Sequence, residues 1–264
     1  MDFFILFQFF KTQFFGNYIA VQGGGNPLSQ FTVKKLIDIN LGNIDLSLTN
    51  SSLYMIIATF AIISFMLFAT RQKSVIPSRM QVVAESIYNL VLNIIKSTIG
   101  DDGVRFFPLI FSLFSFILLC NLLGMTPYSF TSTSQIVVTL SLAIVSFVFI
   151  VSFAIYHNGF LGFFKMFIPS GVPFWMAPLI FIIELFSFLI RPLTLSVRLF
   201  ANMVAGHVLL KVVAGFIISL GVAGILPFAF SVIMTGFEVF VAVLQAYIFS
   251  ILVCAYLSEI TKAH

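Results

Sequence analysis

From Ala177 to about Leu220 the chain runs without a strong helix breaker except Pro192. As one α-helix, roughly 44 residues would measure about 66 Å, twice the ~30 Å hydrocarbon thickness of a bilayer. A helix perpendicular to a membrane cannot be that long, so the stretch either divides into two spans or lies steeply tilted within the membrane. It is strongly apolar, yet it carries Glu184, Arg191, Arg198, His207 and Lys211. A charge at mid-membrane costs about 2.5–3.5 kcal/mol on insertion scales, so several in one segment require a reason.

Their spacing supplies it. With Arg198 at zero and about 100° per residue, Arg191 lies near +20°, Glu184 and Asn202 near +40°, Ser187 and Ala205 near −20°, Thr194 near −40° and Ala201 near −60°. A narrow face of small, polar and charged side chains, roughly 30 Å long, is suited to press closely against a partner and meet charge there. Its continuity favours one long tilted helix. His207, near 180°, points towards another part of the protein.

Composition sets the class. The chain of 264 residues is 60% hydrophobic and 8% charged, with a mean hydropathy of +1.14, which excludes an ordinary soluble domain. The net charge of +4 is modest and the positives are scattered, so nucleic acid is no partner. Cys120 and Cys254 lie in apolar segments and read as buried thiols. The three histidines are not paired at helical spacing, which argues against a haem carrier. MDFFILFQFFKTQFF has the pattern of neither a secretory signal nor a transit peptide. Together with 35 phenylalanines, it points to an organelle-encoded or bacterial chain.

The expected fold is an all-α integral membrane protein, a single membrane domain over 1–264. Residues 1–52 form an N-terminal interfacial segment, with a short helix over 1–22 and breakers at 23–27. Residues 53–70 are a transmembrane helix. Arg71, Lys73 and Arg79 follow, a cluster that the positive-inside rule places on the matrix or cytoplasmic side, leaving the N-terminus outside. Residues 79–99 alternate apolar positions with Glu85, Asn89, Asn93 and Lys96, an amphipathic surface helix. Residues 106–156 are a transmembrane hairpin around the polar turn PYSFTSTSQ, with Asn121 as an interhelical hydrogen bonder. Residues 157–176, broken by glycine and proline, form a surface loop. Residues 177–260 are a hairpin of two over-long tilted helices, turning at Gly221, Gly224 and Pro227. On its second arm Glu238, Ala242, Gln245 and Tyr256 fall within about 40° of one direction, with Glu259 some 60° aside.

The run RLFANMVAGH, Arg198 to His207, resembles the signature of subunit a of F-type ATP synthase, of the mitochondrial type or a close alphaproteobacterial relative. The resemblance extends from NPLSQF at Asn26 to the C-terminus. It implies a proton-translocating stator subunit beside the rotating c-ring, not an enzyme by itself, with no cofactor and no metal. Its implied partners are the c-ring, the peripheral stalk, other membrane subunits and lipid, in a complex that can be dimeric. The implied location is the mitochondrial inner membrane with the N-terminus in the intermembrane space, or the bacterial inner membrane with a periplasmic N-terminus.

In that family the arginine matched by Arg198 faces the essential carboxylate of each c-subunit. A guanidinium stays charged at any accessible pH, so it favours an ionised carboxylate opposite and cannot relay protons, which separates two half-channels. Glu184 matches an acid lining the inner half-channel. Its other reading is an ion pair with Arg191, for which roughly 10 Å along the axis is long. Arg191 matches a residue of mitochondrial members, with a structural and a direct role equally open. His207 and Glu238 match an acid–histidine pair that bacterial relatives carry in reverse, which implies contact across the hairpin and a shared, titratable proton. Asn202 and Gln245 match polar positions next to the rotor. Glu259 is either a channel acid or a solvated residue near the chain end. Lys211 stands where some relatives place a second polar or metal-binding group, and its charge argues against a metal at His207.

Two rival classes remain. A self-contained channel or secondary transporter would also hold intramembrane charge. It is disfavoured because no inverted repeat is visible and the ionisable groups of the spans crowd into the C-terminal half. A structural membrane anchor would not gather its charges on one helix face.

Overall fold

The structure is a computed structural model and describes residues 31–38, 40–41, 44–45, 47–71, 78–126, 129–168 and 175–262. The expected helix over 1–22 and its glycine break lie outside the described residues. Residues 28–50 are expected as part of the interfacial segment. Its described residues form two very short antiparallel ladders, β1 (Lys35–Ile37) with β4 (Leu48–Thr49) and β2 (Asn40–Leu41) with β3 (Ile44–Asp45). Strands of two or three residues leave too short an alternation to be read from sequence.

Six helices follow. Helix α1 (Asn50–Thr70) begins with a reciprocal cap: the Ser52 amide donates to Thr49 Oγ1 at 3.3 Å and the Thr49 amide donates to Ser52 Oγ at 2.8 Å. Two of its orphan amides are thereby satisfied. Helix α2 (Arg79–Thr98) starts at Ser78, whose hydroxyl accepts from the Gln81 amide, and buries one face through Ala84, Val91, Ile94 and Ile95. A 3₁₀ segment, Asp101–Phe106, leads into α3 (Phe107–Gly124). The polar turn then delivers the chain to α4 (Ile136–Lys165), α5 (Ala177–Ser219) and α6 (Ile225–Lys262).

One boundary differs from expectation. Residues 157–165 are helical rather than a loop, because Gly159 absorbs the break by itself at φ 70°, ψ 167°, a conformation open chiefly to glycine. Beyond it Phe163 and Phe167 pack edge-on against each other and against Phe188. As the continuous face favoured, Pro192 leaves α5 a single helix of 43 residues. Among the described residues, five helices, α1 and α3 to α6, are long and apolar enough to cross a membrane, whereas α2 is not one of them. This is an all-α integral membrane protein.

Helix α6 is the hub, packing on α3, α5, α2 and α4. Its contact side carries Ala246, Phe249, Val253, Cys254, Leu257 and Ile260, none more than 1% exposed. Small residues among them let neighbouring backbones approach closely, which matters where lipid removes the hydrophobic drive for helices to associate. Asn121 in α3 is fully buried and its Nδ2 donates to the Ala242 carbonyl of α6 at 3.2 Å, the interhelical bond expected of it. Both cysteines are buried free thiols.

Candidate functional site: an open arginine between two ionisable clusters

Helix α5 buries Phe188, Leu195, Leu199, Met203, His207 and Leu210 on one side, centred about 110° from Arg198. Its other side is uncovered. Ser187, Thr194, Arg198, Ala201 and Ala205 are exposed, and Asn202 is half-buried. The small polar face therefore lies open on the protein rather than against its own neighbours. Ser196 stands apart from it, fully buried and bonded to Thr139 of α4 at 3.1 Å. Not every polar residue of the segment belongs to the stripe. Arg198 makes no ion pair among the described residues, although its charge, like that of Arg191, acts on the Tyr256 phenol.

One cluster lies on the N-terminal side of Arg198. Arg191 bridges two acids: Nη1 donates to Glu259 Oε2 at 2.6 Å and Nη2 to Glu184 Oε1 at 3.3 Å. Its guanidinium carbon lies 5.0 Å from the Tyr256 ring centroid. One expectation is thereby corrected. Glu184 and Arg191 do meet, because a helical side chain leans towards its own N-terminus and a long arginine covers much of the axial gap. Glu259, for which two readings stood open, closes this bridge from α6 with its side chain still half exposed. Nearby, Ser258 Oγ donates to the Thr98 carbonyl at the end of α2, so the cluster sits at the α2 end of the bundle.

The second cluster lies at the opposite end, under the α3–α4 turn. Glu238 of α6 and His207 of α5 face each other with Oε1 3.8 Å from Nδ1, both side chains 8% exposed. Glu238 Oε1 has no hydrogen-bond partner among the described residues. Gly206 creates the room for it: a Cβ there would stand 2.6 Å from that oxygen. On the far side of the ring Thr131 Oγ1 lies 3.0 Å from His207 Nε2, and Phe31 meets the imidazole edge-on at 6.3 Å between centroids. The neighbouring Ser132 donates to the Ser51 carbonyl at the start of α1.

The predicted residues thus divide into three groups. Glu184, Arg191 and Glu259 form one cluster, and His207 and Glu238 the other, while Arg198 and Asn202 stand on the open face between them. Gln245, expected beside a rotor, is instead 8% exposed in the interior, on the α6 side that carries Glu238 and the fully buried Ala242. Thr131, Gly124 and Gly206 escaped the sequence reading. Gly206 was within reach, since it adjoins His207. Thr131 was not, being 76 residues from its partner. No group of three or more His, Cys, Asp or Glu suited to a metal occurs among the described residues.

A helical bundle with five membrane-length spans, an open arginine and an interior acid–imidazole pair defines a multi-pass membrane protein equipped to handle protons. The sequence model of the ATP synthase A chain family matches residues 52–258, most of the chain, and the chain belongs to that family. It is thus a proton-translocating a subunit of F-type ATP synthase, a component of an energy-coupling membrane that works with the c-ring and other subunits of the complex.

Proposed function

We propose that this chain offers the c-ring two half-channels held apart by Arg198. The observation that carries the reading is the order of charge along α5: a half-exposed cluster of two acids bridged by Arg191, an open arginine without an ion pair among the described residues, then a buried acid–imidazole pair. Arg198 meets the rotor's ionised carboxylate and, always cationic, blocks a direct proton path between the clusters. Asn202 lies one turn along the same face. Gln245 acts from the interior beside the Glu238 path.

Glu184 serves the half-channel on the matrix or cytoplasmic side, with Arg191 and Glu259 as its neighbours. That side follows from Arg71, Lys73 and Arg79, and the location of the Glu184 cluster at the α2 end agrees with it. His207 and Glu238 serve the outer half-channel, and the N-terminus is outside. In synthesis, protons enter past His207 and Glu238, load a c-ring carboxylate, travel with the ring and leave past Glu184. The driving force is about 2.3 kcal/mol per charge per 100 mV, and the chain works as a translocating component rather than an enzyme in its own right. The location is the mitochondrial inner membrane, or the bacterial inner membrane as the alternative. The remaining faces take lipid, the peripheral stalk and other membrane subunits, in a complex able to dimerise. Exposed Phe60, Leu67 and Phe68 on α1, each about two-thirds accessible, support a lipid or subunit contact there.

The test is sided thiol labelling in the intact complex. Cysteine at 184 should react with a membrane-impermeant reagent from the inner side, and cysteine at 238 from the outer side. Labelling of both from one side contradicts the route.

A further inference from the structure

The bonds around His207 determine where its protons sit. The Thr131 hydroxyl has a single proton and donates it to the Gly124 carbonyl at 3.0 Å. That carbonyl ends α3 and so has no partner in the helix ladder. With its proton so used, Thr131 Oγ1 meets His207 Nε2 at 3.0 Å as an acceptor only. Nε2 must then carry hydrogen in the neutral ring as well as in the charged one. The remaining lone pair is on Nδ1, facing Glu238 Oε1, which has no other partner among the described residues. Two glycines make the arrangement possible. A Cβ on Gly124 would lie 2.5 Å from Thr131 Cγ2 and 2.8 Å from its hydroxyl oxygen, as one on Gly206 would press on Glu238.

We propose that Thr131 is a positioning residue that holds His207 in its Nε2–H tautomer, so that the ring exchanges protons through Nδ1 alone, with Glu238. The imidazole is then a one-sided partner of the acid and not a wire that takes a proton on one nitrogen and passes another from the opposite one. One proton is shared between Glu238 and Nδ1, as carboxylic acid with neutral ring or as carboxylate with imidazolium. Nε2–H stays on Thr131 in both states, which prevents ring rotation during turnover. This inference rests on the proposed outer half-channel.

Few other charges bear on the pair. Glu238 faces the ring from α6, and Lys211 acts on it from one turn further along α5. Helices α1 and α3 and the turn 125–135 contain no charged residue, and Lys34, Lys35 and Asp38, in the segment that brings Phe31 to the ring, are all exposed. A bond from imidazolium Nε2–H to the hydroxyl is charge-assisted and stronger than the same bond from the neutral ring. Its removal therefore weighs against the protonated ring.

The experiment measures proton flux through the intact complex in proteoliposomes as a function of pH, for Thr131→Val and Thr131→Ser. Valine keeps the shape and loses the acceptor. It should lower flux about tenfold or more and move the midpoint of the pH profile down by about half a unit or more. Serine keeps the acceptor and should preserve the wild-type profile. Gly124→Ala, which crowds the hydroxyl off the ring, should shift the profile as valine does. A valine variant that assembles with wild-type flux and profile overturns the proposal, as does a serine variant shifted like valine. If the valine variant fails to assemble, Thr131→Ala carries the same test with the same outcomes. His207→Ala and Glu238→Gln, measured in parallel, isolate the underlying reading. Their retention of full flux refutes the outer half-channel itself, whereas their loss beside a wild-type valine variant refutes only the role of Thr131.

Discussion

Replacement of Gly206 by alanine separates proton transfer from folding. The added Cβ would stand 2.6 Å from Glu238 Oε1 and 3.0 Å from Glu238 Cδ, where ordinary contact begins at 3.4 Å. The obstacle is the end of a flexible side chain, so the backbone can stay while the carboxyl group retreats by about 0.8 Å. The group that retreats is the one that faces His207 at 3.8 Å. A misplacement near 1 Å of a reacting group can cost on the order of 10²-fold in rate, and a drop of about that size in proton-driven ATP synthesis is expected. Stability should move the other way, since alanine is favoured over glycine within a helix by about 1 kcal/mol. Gly236 is the internal control: it lies two residues from Glu238, and a Cβ there meets nothing within 4 Å. The assay is proton pumping and synthesis in membrane vesicles, with complex content and thermal stability measured on the same preparations. Gly206→Ala should pump poorly from a normally assembled complex, and Gly236→Ala should pump normally. Equal activity of both variants would refute the argument that Gly206 sets the position of the acid.

His207 and Glu238 should behave as one titrating unit with apparent values that belong to the pair: the exchange His207→Glu with Glu238→His should restore more pumping than either single change, and simple additivity of the two defects would count against contact. Arg191→Ala removes the only ion-pair partner of two acids on different helices among the described residues, so it should lower the melting temperature of the solubilised complex and reduce synthesis. Glu259→Gln, which leaves the Glu184 pair in place, should do less of both, and a larger loss from Glu259→Gln would contradict the bridge. Asn121→Leu breaks the buried bond to the Ala242 carbonyl and should cost about 1 kcal/mol, the usual scale for a bond between membrane helices, read as a modest fall in melting temperature with pumping retained.

Much of this arrangement was legible in the chain because helical periodicity is rigid. The stripe from Glu184 to Ala205 could be drawn from 100° steps alone, and the same steps placed His207 on the opposite, inward side. Periodicity fails where reach or distant contact decides. The meeting of Glu184 and Arg191 depends on the direction and length of an arginine side chain, which axial distance ignores. Gln245 shares its direction with Glu238, but periodicity does not say whether that direction faces a rotor or the protein interior. The bond from Thr131 to His207 joins a turn to a helix 76 residues away, and a run of serines and threonines between two apolar spans reads only as a turn. The continuation of α4 beyond Tyr156 was hidden because one glycine at positive φ can kink a helix without ending it.

The central claim is that Arg198, on the open face of α5, stands between the two proton paths and meets the rotor there. Proton-driven ATP synthesis by the assembled complex carrying Arg198→Lys tests it most directly, with Arg198→Ala alongside. An ammonium can deprotonate in a dry site and lacks the planar fork of a guanidinium, so the lysine variant should assemble beside the c-ring and yet fail to make ATP, as the alanine variant should. Normal synthesis by the lysine variant would contradict the account.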